Sequence, residues 1–354
     1  MIQVDIICGS NYGDEGKGTV VANYTKNREN VLNVLTNGGA QRGHSILTKD
    51  GNITFQHFGS GTYHGADSYY SQFFIIHPMQ FVKEYETLIV KPKNIYRDYR
   101  CRWTTPYDTM ANIIAKKSYN TCGMGVWNTI KRSRLTELNS LFDDFIAMTD
   151  FDKIVYLNKI KSYYEKDLEI PSSWKEIWDS KFLQEHFISD CYFINEHTKV
   201  CPFNKMEYKN IIFENGQGLL LCDTGKDTTD TTPSNTGISY SLEMIKELEN
   251  VGNVTAHYVT RPYLTRHGDG EMEHQTDRKY ISKDVSEDRT NHFNDFQGNF
   301  RYGKLDIASL KERILKDAKG VNFELDVTHC DEMDRVNEFK KYFNTVNAYD
   351  SPLI

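Results

Sequence analysis

Apolar residues cluster from Val4 to Cys8 and stop at Gly9, a short bounded run that predicts a β-strand. Beyond a glycine-rich turn, Thr19 to Lys26 reads as a helix, and Val31 to Thr36 is a second apolar run that halts at Gly38-Gly39. Strand, glycine turn, helix, strand is the order of a parallel α/β sheet, whose ligands sit at the carboxyl ends of its strands. Asn210 to Glu214 predicts a third strand, closed by the polar glycine turn Asn215-Gly216-Gln217-Gly218, and Asn253 to Thr260 a fourth. From Phe142 to Phe193, Lys, Glu, Asp and aromatic residues recur at helical spacing, which predicts a helical subdomain within residues 142–200. Lys226 to Asn235 is dense in Thr and Asp and reads as a loop. Arg266 to Asn299 is polar and weakly periodic and reads as a long functional loop. No repeat, coiled coil or low-complexity linker is evident. Residues 1–354 are therefore expected to form one composite domain, an α/β fold with a mostly parallel central sheet flanked by helices.

Composition narrows the partners. The chain has 354 residues and a formal net charge of −7, so it offers no general polyanion-binding surface and nucleic acid is not expected as a partner. Any bound anion must be held locally, by backbone N–H groups and a few placed cations. The seven cysteines are scattered and form no CxxC pair, which argues against a disulfide framework or a zinc cluster and for a reducing, cytoplasmic setting. The first residues lack the features of a signal peptide, and no apolar run approaches the roughly 18 residues that span a bilayer, so no membrane partner is expected.

Candidate chemistry lies in the turns. In Gly13-Asp14-Glu15-Gly16-Lys17-Gly18 the glycines allow close approach to an anion, the helix start aims N–H groups at it, and Lys17 adds a positive charge. The turn departs from the GxxxxGK[ST] phosphate loop. Asn11 stands where its first glycine would be, and Gly18 replaces the hydroxyl residue that would ligate magnesium. A hard cation needs oxygen ligands, and the nearest candidate is Asp14. A carboxylate within a phosphate cradle is electrostatically unfavourable unless it serves the chemistry there; the plain alternative is an acidic residue in a solvated turn. The second turn, Asn37 to Ser45, brings an amide, a guanidinium and the imidazole of His44 beside glycines, which favours an acid/base role over a structural one. In the third, Gln217 lies between glycines and can both donate to and accept from a purine edge, or simply complete a tight turn. Thr231 to Thr236 offers hydroxyl and amide groups suited to a phosphate, although such clusters are commonly plain loops.

Six blocks carry a resemblance: GSNYGDEGKGTV (Gly9 to Val20), GGAQRGHS (Gly38 to Ser45), Ser60-Gly61 after His57, FENGQG (Phe213 to Gly218), TPSNT (Thr232 to Thr236) and LDVTHCDEMD (Leu325 to Asp334). In type and order they resemble the adenylosuccinate synthetase family, whose fold is related to the P-loop NTPases. That family joins L-aspartate to the 6-position of a 6-oxopurine nucleotide, using a nucleoside triphosphate and Mg2+. The resemblance makes Asp14 the general base and His44 the general acid, with Asp14 and the Gly43 carbonyl as magnesium ligands. It sets Asn11, Gly13, Glu15, Gly16, Lys17 and Gly18 around the triphosphate and has Asp331 read its base. Gln41, Thr121, Gln217 and Thr232 would hold the purine monophosphate, and Arg134 would reach across a homodimer to the partner's phosphate. Gln297 and Arg301 would bind aspartate.

Several positions depart from the family pattern. Gln41 and Arg42 replace an asparagine and a small residue, and Ala22 replaces an acidic residue. Thr328-His329-Cys330-Asp331 stands for TKLD, and Gln297-Gly298-Asn299-Phe300-Arg301 for the TTGRxR loop, with Asn299 in place of an arginine. Together with the short chain, these resemble the phage branch of the family, which acts on dGMP to give N6-succino-2-amino-2'-deoxyadenylate for 2-aminoadenine DNA and favours ATP, or dATP, over GTP. Two features support that branch: Asn299 removes a contact to the ribose 2'-hydroxyl, and Ala22 would loosen packing enough to admit a 2-amino group. An ordinary synthetase using IMP and GTP is the alternative. A GTPase-like switch and an inactive nucleotide-binding regulator are disfavoured by the broken phosphate loop and by retention of both Asp14 and His44.

Overall fold

A computed structural model describes residues 1–49, 51–116, 121–223, 231–288 and 291–351. The first strand, β1 (Ile2–Gly9), is followed by helix α1 (Lys17–Lys26), strand β2 (Val31–Leu35) and the hairpin of β3 (His44–Thr48) and β4 (Gly51–Phe55). Nine strands form one sheet, in the order Val346–Ala348, Asn322–Val327, Val251–Thr260, β1, Asn210–Gly218, β2, Asp67–Tyr70, Ile95–Arg97, Lys199–Val200. Every pairing within it is parallel, as the strand–turn–helix pattern predicts.

A parallel sheet must be covered on both faces, and the alternation along β1 shows how. Val4 and Ile6 pack with Leu310 and Ile314 of the helix Ile307–Ala318 on one face. Ile7 packs with Val20 and Val21 of α1 on the other. Each of those fully buried valines contributes about 1.5–3 kcal/mol relative to exposure, which seats α1 and with it the loop that precedes it. The charged, aromatic-rich region forms helices Phe142–Ala147, Asp150–Glu165, Ser172–Trp178 and Lys181–His197. They pack around Trp103 in a cluster shared with helices Pro78–Thr87 and Pro106–Ile114, and the chain then returns to the edge of the sheet as Lys199–Val200.

One strand boundary differs from the sequence expectation by more than two residues. The strand Asn210–Gly218 does not stop at Glu214 but runs through the glycines, and Gly218 pairs with Gly9 after an irregularity in register. The passage is tight: a Cβ on Gly218 would lie 2.3 Å from the Asn11 carbonyl oxygen. Residues 226–230 of the expected Thr/Asp-rich loop, and 289–290 of the second loop, lie outside the described residues. The rest of the second loop is largely irregular, with a short strand at Gln275–Thr276 and a single turn at Arg278–Tyr280.

Candidate active site

The carboxyl ends of the central strands converge on one cavity of about 380 Å³, lined by Asp14, His44, Gln217, Arg261 and His329 among others. Three of these have left-handed backbone although none is glycine: Asp14 (φ 60°), Gln217 (φ 66°) and His329 (φ 55°). Such conformations cost about 1–3 kcal/mol each and cluster where a structure must aim groups at a ligand. The first loop is held in this shape by its neighbours. Arg261 Nε donates to the Asp14 carbonyl at 2.8 Å, Thr328 Oγ1 to the Glu15 carbonyl at 2.7 Å, and Arg313 Nη2 to Asn11 Oδ1 at 2.7 Å. Gly16 caps α1 at φ 87°, and the first turn of that helix carries no acidic residue, so its N–H groups and dipole are open to an anion. At Gly18 a Cβ would come within 2.7 Å of the Ser45 carbonyl oxygen, so only glycine lets α1 start against β3.

Glu15 differs from a simple phosphate contact. Its buried carboxylate accepts from the N–H of Asn11 at 2.7 Å and of Gly13 at 3.1 Å, and pairs with Lys17 Nζ at 3.2 Å. The backbone donors of Asn11 and Gly13 are thus satisfied within the loop, and Gly13 lines the cavity together with Gly16, Lys17 and Gly18. An incoming phosphoryl group would have to compete with Glu15 for Lys17.

His44 opens β3 at the edge of the cavity, next to Gly43. Its Nδ1 lies 2.5 Å from Glu214 Oε1, a carboxylate that also accepts from Ser60 N at 2.9 Å and Ser60 Oγ at 2.7 Å. Arg42 Nη2 sits 3.1 Å from the same imidazole nitrogen and 3.5 Å from Glu214 Oε1. Burial and the Arg42 charge push the His44 pKa down to about 4, against the pull of Glu214. Burial alone would raise the Glu214 pKa; its hydrogen bonds and the nearby charges outweigh that and bring it to about 2. His44 is neutral above pH about 4, and its Nδ1–H bond, with the Arg42 charge and the Ser60 bonds, keeps Glu214 ionised at neutral pH. The ring is then fixed with Nδ1–H on Glu214, which leaves Nε2 for a ligand.

A second cavity of about 110 Å³ adjoins the first and is lined by Gln41, Thr121, Trp127 and Thr232 among others. Gln41 Nε2 donates to Thr232 Oγ1 at 2.9 Å, Thr121 Oγ1 donates to Asn112 Oδ1 at 2.6 Å, and the Gly123 N–H donates to Thr121 Oγ1 at 3.1 Å. Hydroxyls, an amide and a glycine turn make a small polar pocket of phosphate size. Gln297 and Gln217 line both cavities.

Other expected site residues stand apart. Arg134 is exposed and lines neither cavity. The Asp331 carboxylate accepts from Ser351 Oγ at 2.7 Å, while its neighbours His329 and Glu332 line the larger cavity. Arg301 donates to Gln275 Oε1 at 2.9 Å and to the Gly268 carbonyl at 2.5 Å. Asn299, where the family has an arginine, is exposed. Ala22 overturns its expectation: it is buried in an apolar cluster with Leu35, Ile46 and Phe55 and lines neither cavity, so its small size opens no room around a ligand. Conversely, Glu214, Arg261, Asp288 and His267 were not anticipated. Glu214 alone had a visible signal, a carboxylate on a buried strand beside a glycine turn.

A sequence model of the family described as adenylosuccinate synthetase matches residues 6–344. The adenylosuccinate synthetase of Finegoldia magna is 24% identical over 323 residues, covering 88% of this chain and 75% of that protein. Seven further bacterial adenylosuccinate synthetases are matched over 63% to 82% of their lengths. Among solved structures, fully ligated adenylosuccinate synthetase from Plasmodium falciparum superposes with a TM-score of 0.71 at 19% identity, over 94% of this chain and 78% of that one. The succinoaminodeoxyadenylate synthetase of cyanophage S-2L, bound to dGMP and to dATP as an energy donor, gives a TM-score of 0.65 at 11% identity, over 99% of this chain and 91% of that one. At these identities both structural likenesses speak to the fold.

Proposed function

The chain belongs to the adenylosuccinate synthetase family, a family of carbon–nitrogen ligases, and from that premise we propose that it joins L-aspartate to C6 of a 6-oxopurine nucleoside monophosphate with cleavage of a nucleoside triphosphate. The observation that carries this is the meeting, in one cavity, of Asp14, Lys17 at the start of α1 and the His44–Glu214 pair, beside a phosphate-sized pocket. The acceptor's 5'-phosphate occupies the pocket of Gln41, Thr121 and Thr232, and Gln217 meets the purine edge. Asp14 takes the N1 proton, and the 6-oxygen gains the electron density to attack the γ-phosphorus as the bond to the diphosphate breaks. Lys17 and the N–H groups of α1 offset the charge of the transferred group. Its arrival raises the proton affinity of His44, which, pinned by Glu214, donates from Nε2 towards the 6-oxygen. The aspartate amine then attacks C6 and phosphate leaves.

Among the described residues no cluster of three or more His, Cys, Asp or Glu side chains could hold a metal. Magnesium commonly uses one or two carboxylates with phosphate oxygens and water, and Asp14 with the Gly43 carbonyl fits that donor set; when bound it would spread charge on the phosphoryl oxygens. Arg134, exposed on this chain, completes the phosphate pocket of a second copy in a homodimer.

For the acceptor, dGMP is the finer reading. The exposed Asn299 supports it, and so does the extent of superposition: the chain covers 91% of the cyanophage enzyme and 78% of the Plasmodium synthetase. ATP or dATP is the matching donor, with His329 at the cavity where the family has lysine. IMP with GTP is the second reading, favoured by the curated relatives. The test crosses IMP, GMP, dIMP and dGMP with ATP, dATP and GTP, each with L-aspartate, and reads products by mass spectrometry. Aspartate-dependent succinylation of dGMP with ATP is expected. Equal or higher kcat/KM with IMP overturns the dGMP reading, and triphosphate cleavage that ignores aspartate overturns the ligase.

A further inference from the structure

The two cavities share six lining residues, and these form the neck between them: Gln41, Cys122, Gln217, Leu221, His267 and Gln297. On the reading proposed above, a nucleotide with its phosphate at Thr121 and Thr232 and its base at Gln217 and Asp14 must pass its sugar through this neck. Gln41 is already engaged with Thr232, and on the same reading Gln217 serves the base. Cys122 and Leu221 offer a weak donor and no donor at all. Gln297 is held by its backbone, its N–H donating to Asn294 Oδ1 at 2.8 Å and its carbonyl accepting from Gly268 N at 2.9 Å, and the family resemblance gives its side-chain amide to aspartate.

His267 is different. Its Nδ1 is buried and has no hydrogen-bond partner among the described residues. A buried polar atom left unsatisfied is costly, and in a ligand site it is the natural partner for a group the ligand brings. The ring is also held in place. It follows directly on the strand Leu264–Arg266, the Phe300 ring backs it at 4.8 Å between centroids, and Arg301 grips the next carbonyl, that of Gly268. Arg301, expected at the aspartate, thus acts in this structure on the turn that aims His267.

We propose that His267 binds the sugar of the acceptor nucleotide, its ring nitrogen meeting a sugar hydroxyl in the neck between the base cavity and the phosphate pocket. This rests on the assignment of the two cavities to base and phosphate. With a deoxynucleotide the hydroxyl concerned is the 3'-hydroxyl.

The test is a binding cycle that requires no turnover. Dissociation constants for dGMP and 2',3'-dideoxyGMP are measured by calorimetry, without triphosphate or aspartate, on wild type, His267→Phe and His267→Asn. If wild type prefers IMP, IMP and 3'-deoxyIMP replace them. Wild type should bind the hydroxyl-bearing ligand about tenfold more tightly than its deoxy partner. His267→Phe, which keeps the ring but not its nitrogens, should lose that preference, and His267→Asn should recover part of it. Unchanged triphosphate binding and melting temperature show that the variants are folded. A full preference retained in His267→Phe overturns the proposal. So does a separate steady-state assay in which His267→Phe raises the KM for aspartate while the nucleotide affinity is unchanged, which would assign the ring to the amino acid. If wild type binds no purine monophosphate, the proposed function itself fails, a result distinct from either.

Discussion

Two of the five histidines buried among the described residues hydrogen-bond carboxylates through their rings, and they end in different charge states. His257, in the strand Val251–Thr260, stands between Asp5 Oδ1 at 3.0 Å and Asp326 Oδ2 at 3.2 Å. Burial alone would lower its pKa, but the two hydrogen bonds and charges outweigh it and lift the pKa to about 9. His44 has the single carboxylate of Glu214 and two cations nearby, Arg42 and Lys17, and falls to about 4. Burial is similar; the balance of neighbouring charges decides. The outcomes suit different work. The His257 imidazolium clamps β1 to the strands Val251–Thr260 and Asn322–Val327, and its Nδ1 lies 3.0 Å from the Tyr24 hydroxyl of α1, so it braces the helix behind the phosphate loop. His44 is a neutral ring pinned at one nitrogen, ready to accept or deliver a proton at the other.

Substitution should separate the two most strongly in kinetics. His44→Ala is expected to lower kcat/KM by about 10²–10⁴-fold with little change in melting temperature, whereas His257→Ala should leave the turnover of the folded enzyme near wild type. Steady-state assays check both, and a His44→Ala variant within threefold of wild type would remove His44 from the chemistry. The next effect is in stability. His257→Ala takes the imidazolium from two buried carboxylates, leaving Asp5 with Arg28 and Asp326 with Tyr349, and should cost about 3 kcal/mol in urea unfolding. His44→Ala, which removes a neutral ring, should cost less than half of that.

The pH dependences should have opposite signs. The folded pKa of His257 lies above its unfolded value, so its stabilisation is complete below pH about 6.5 and is lost as pH rises to about 9, about 3 kcal/mol in all. For His44 the folded pKa is depressed, so folding is penalised as pH falls from about 6.5 to about 4. Unfolding curves across pH 4–9 for wild type and the two alanine variants should show each slope vanish in its own variant. The smallest effect sharpens the cause: Arg42→Ala should raise the His44 pKa by about one unit, read from the titration of its ring proton by NMR. No rise would mean that burial and Lys17, not Arg42, hold His44 neutral.

The sequence made the glycine loops and the parallel core legible because their residue types are hard to replace. A left-handed turn against a helix start needs Gly16, and a strand buried on both faces needs an unbroken run such as Val4 to Cys8. His44 stood out for the same reason, beside Gly43 at a strand end. What stayed hidden was pairing at long range. Glu214 meets His44 only because Asn210–Gly218 lies beside β2 in the sheet, and no local pattern states that neighbourhood. Arg261 and His267 sit in or beside a polar stretch of weak periodicity, where side chains that reach the cavity look like those that do not. Ala22 misled because a position near a loop in sequence can point into the core in space.

The central claim, that the site activates the 6-oxygen of a purine nucleotide for displacement by aspartate, has a direct isotopic test. The acceptor is labelled with ¹⁸O at its 6-oxygen and incubated with L-aspartate, triphosphate and enzyme, and the inorganic phosphate is analysed by mass spectrometry. Transfer of the label to phosphate, in step with succinylated product and lost in Asp14→Asn, is the predicted result. Phosphate released without label would contradict it.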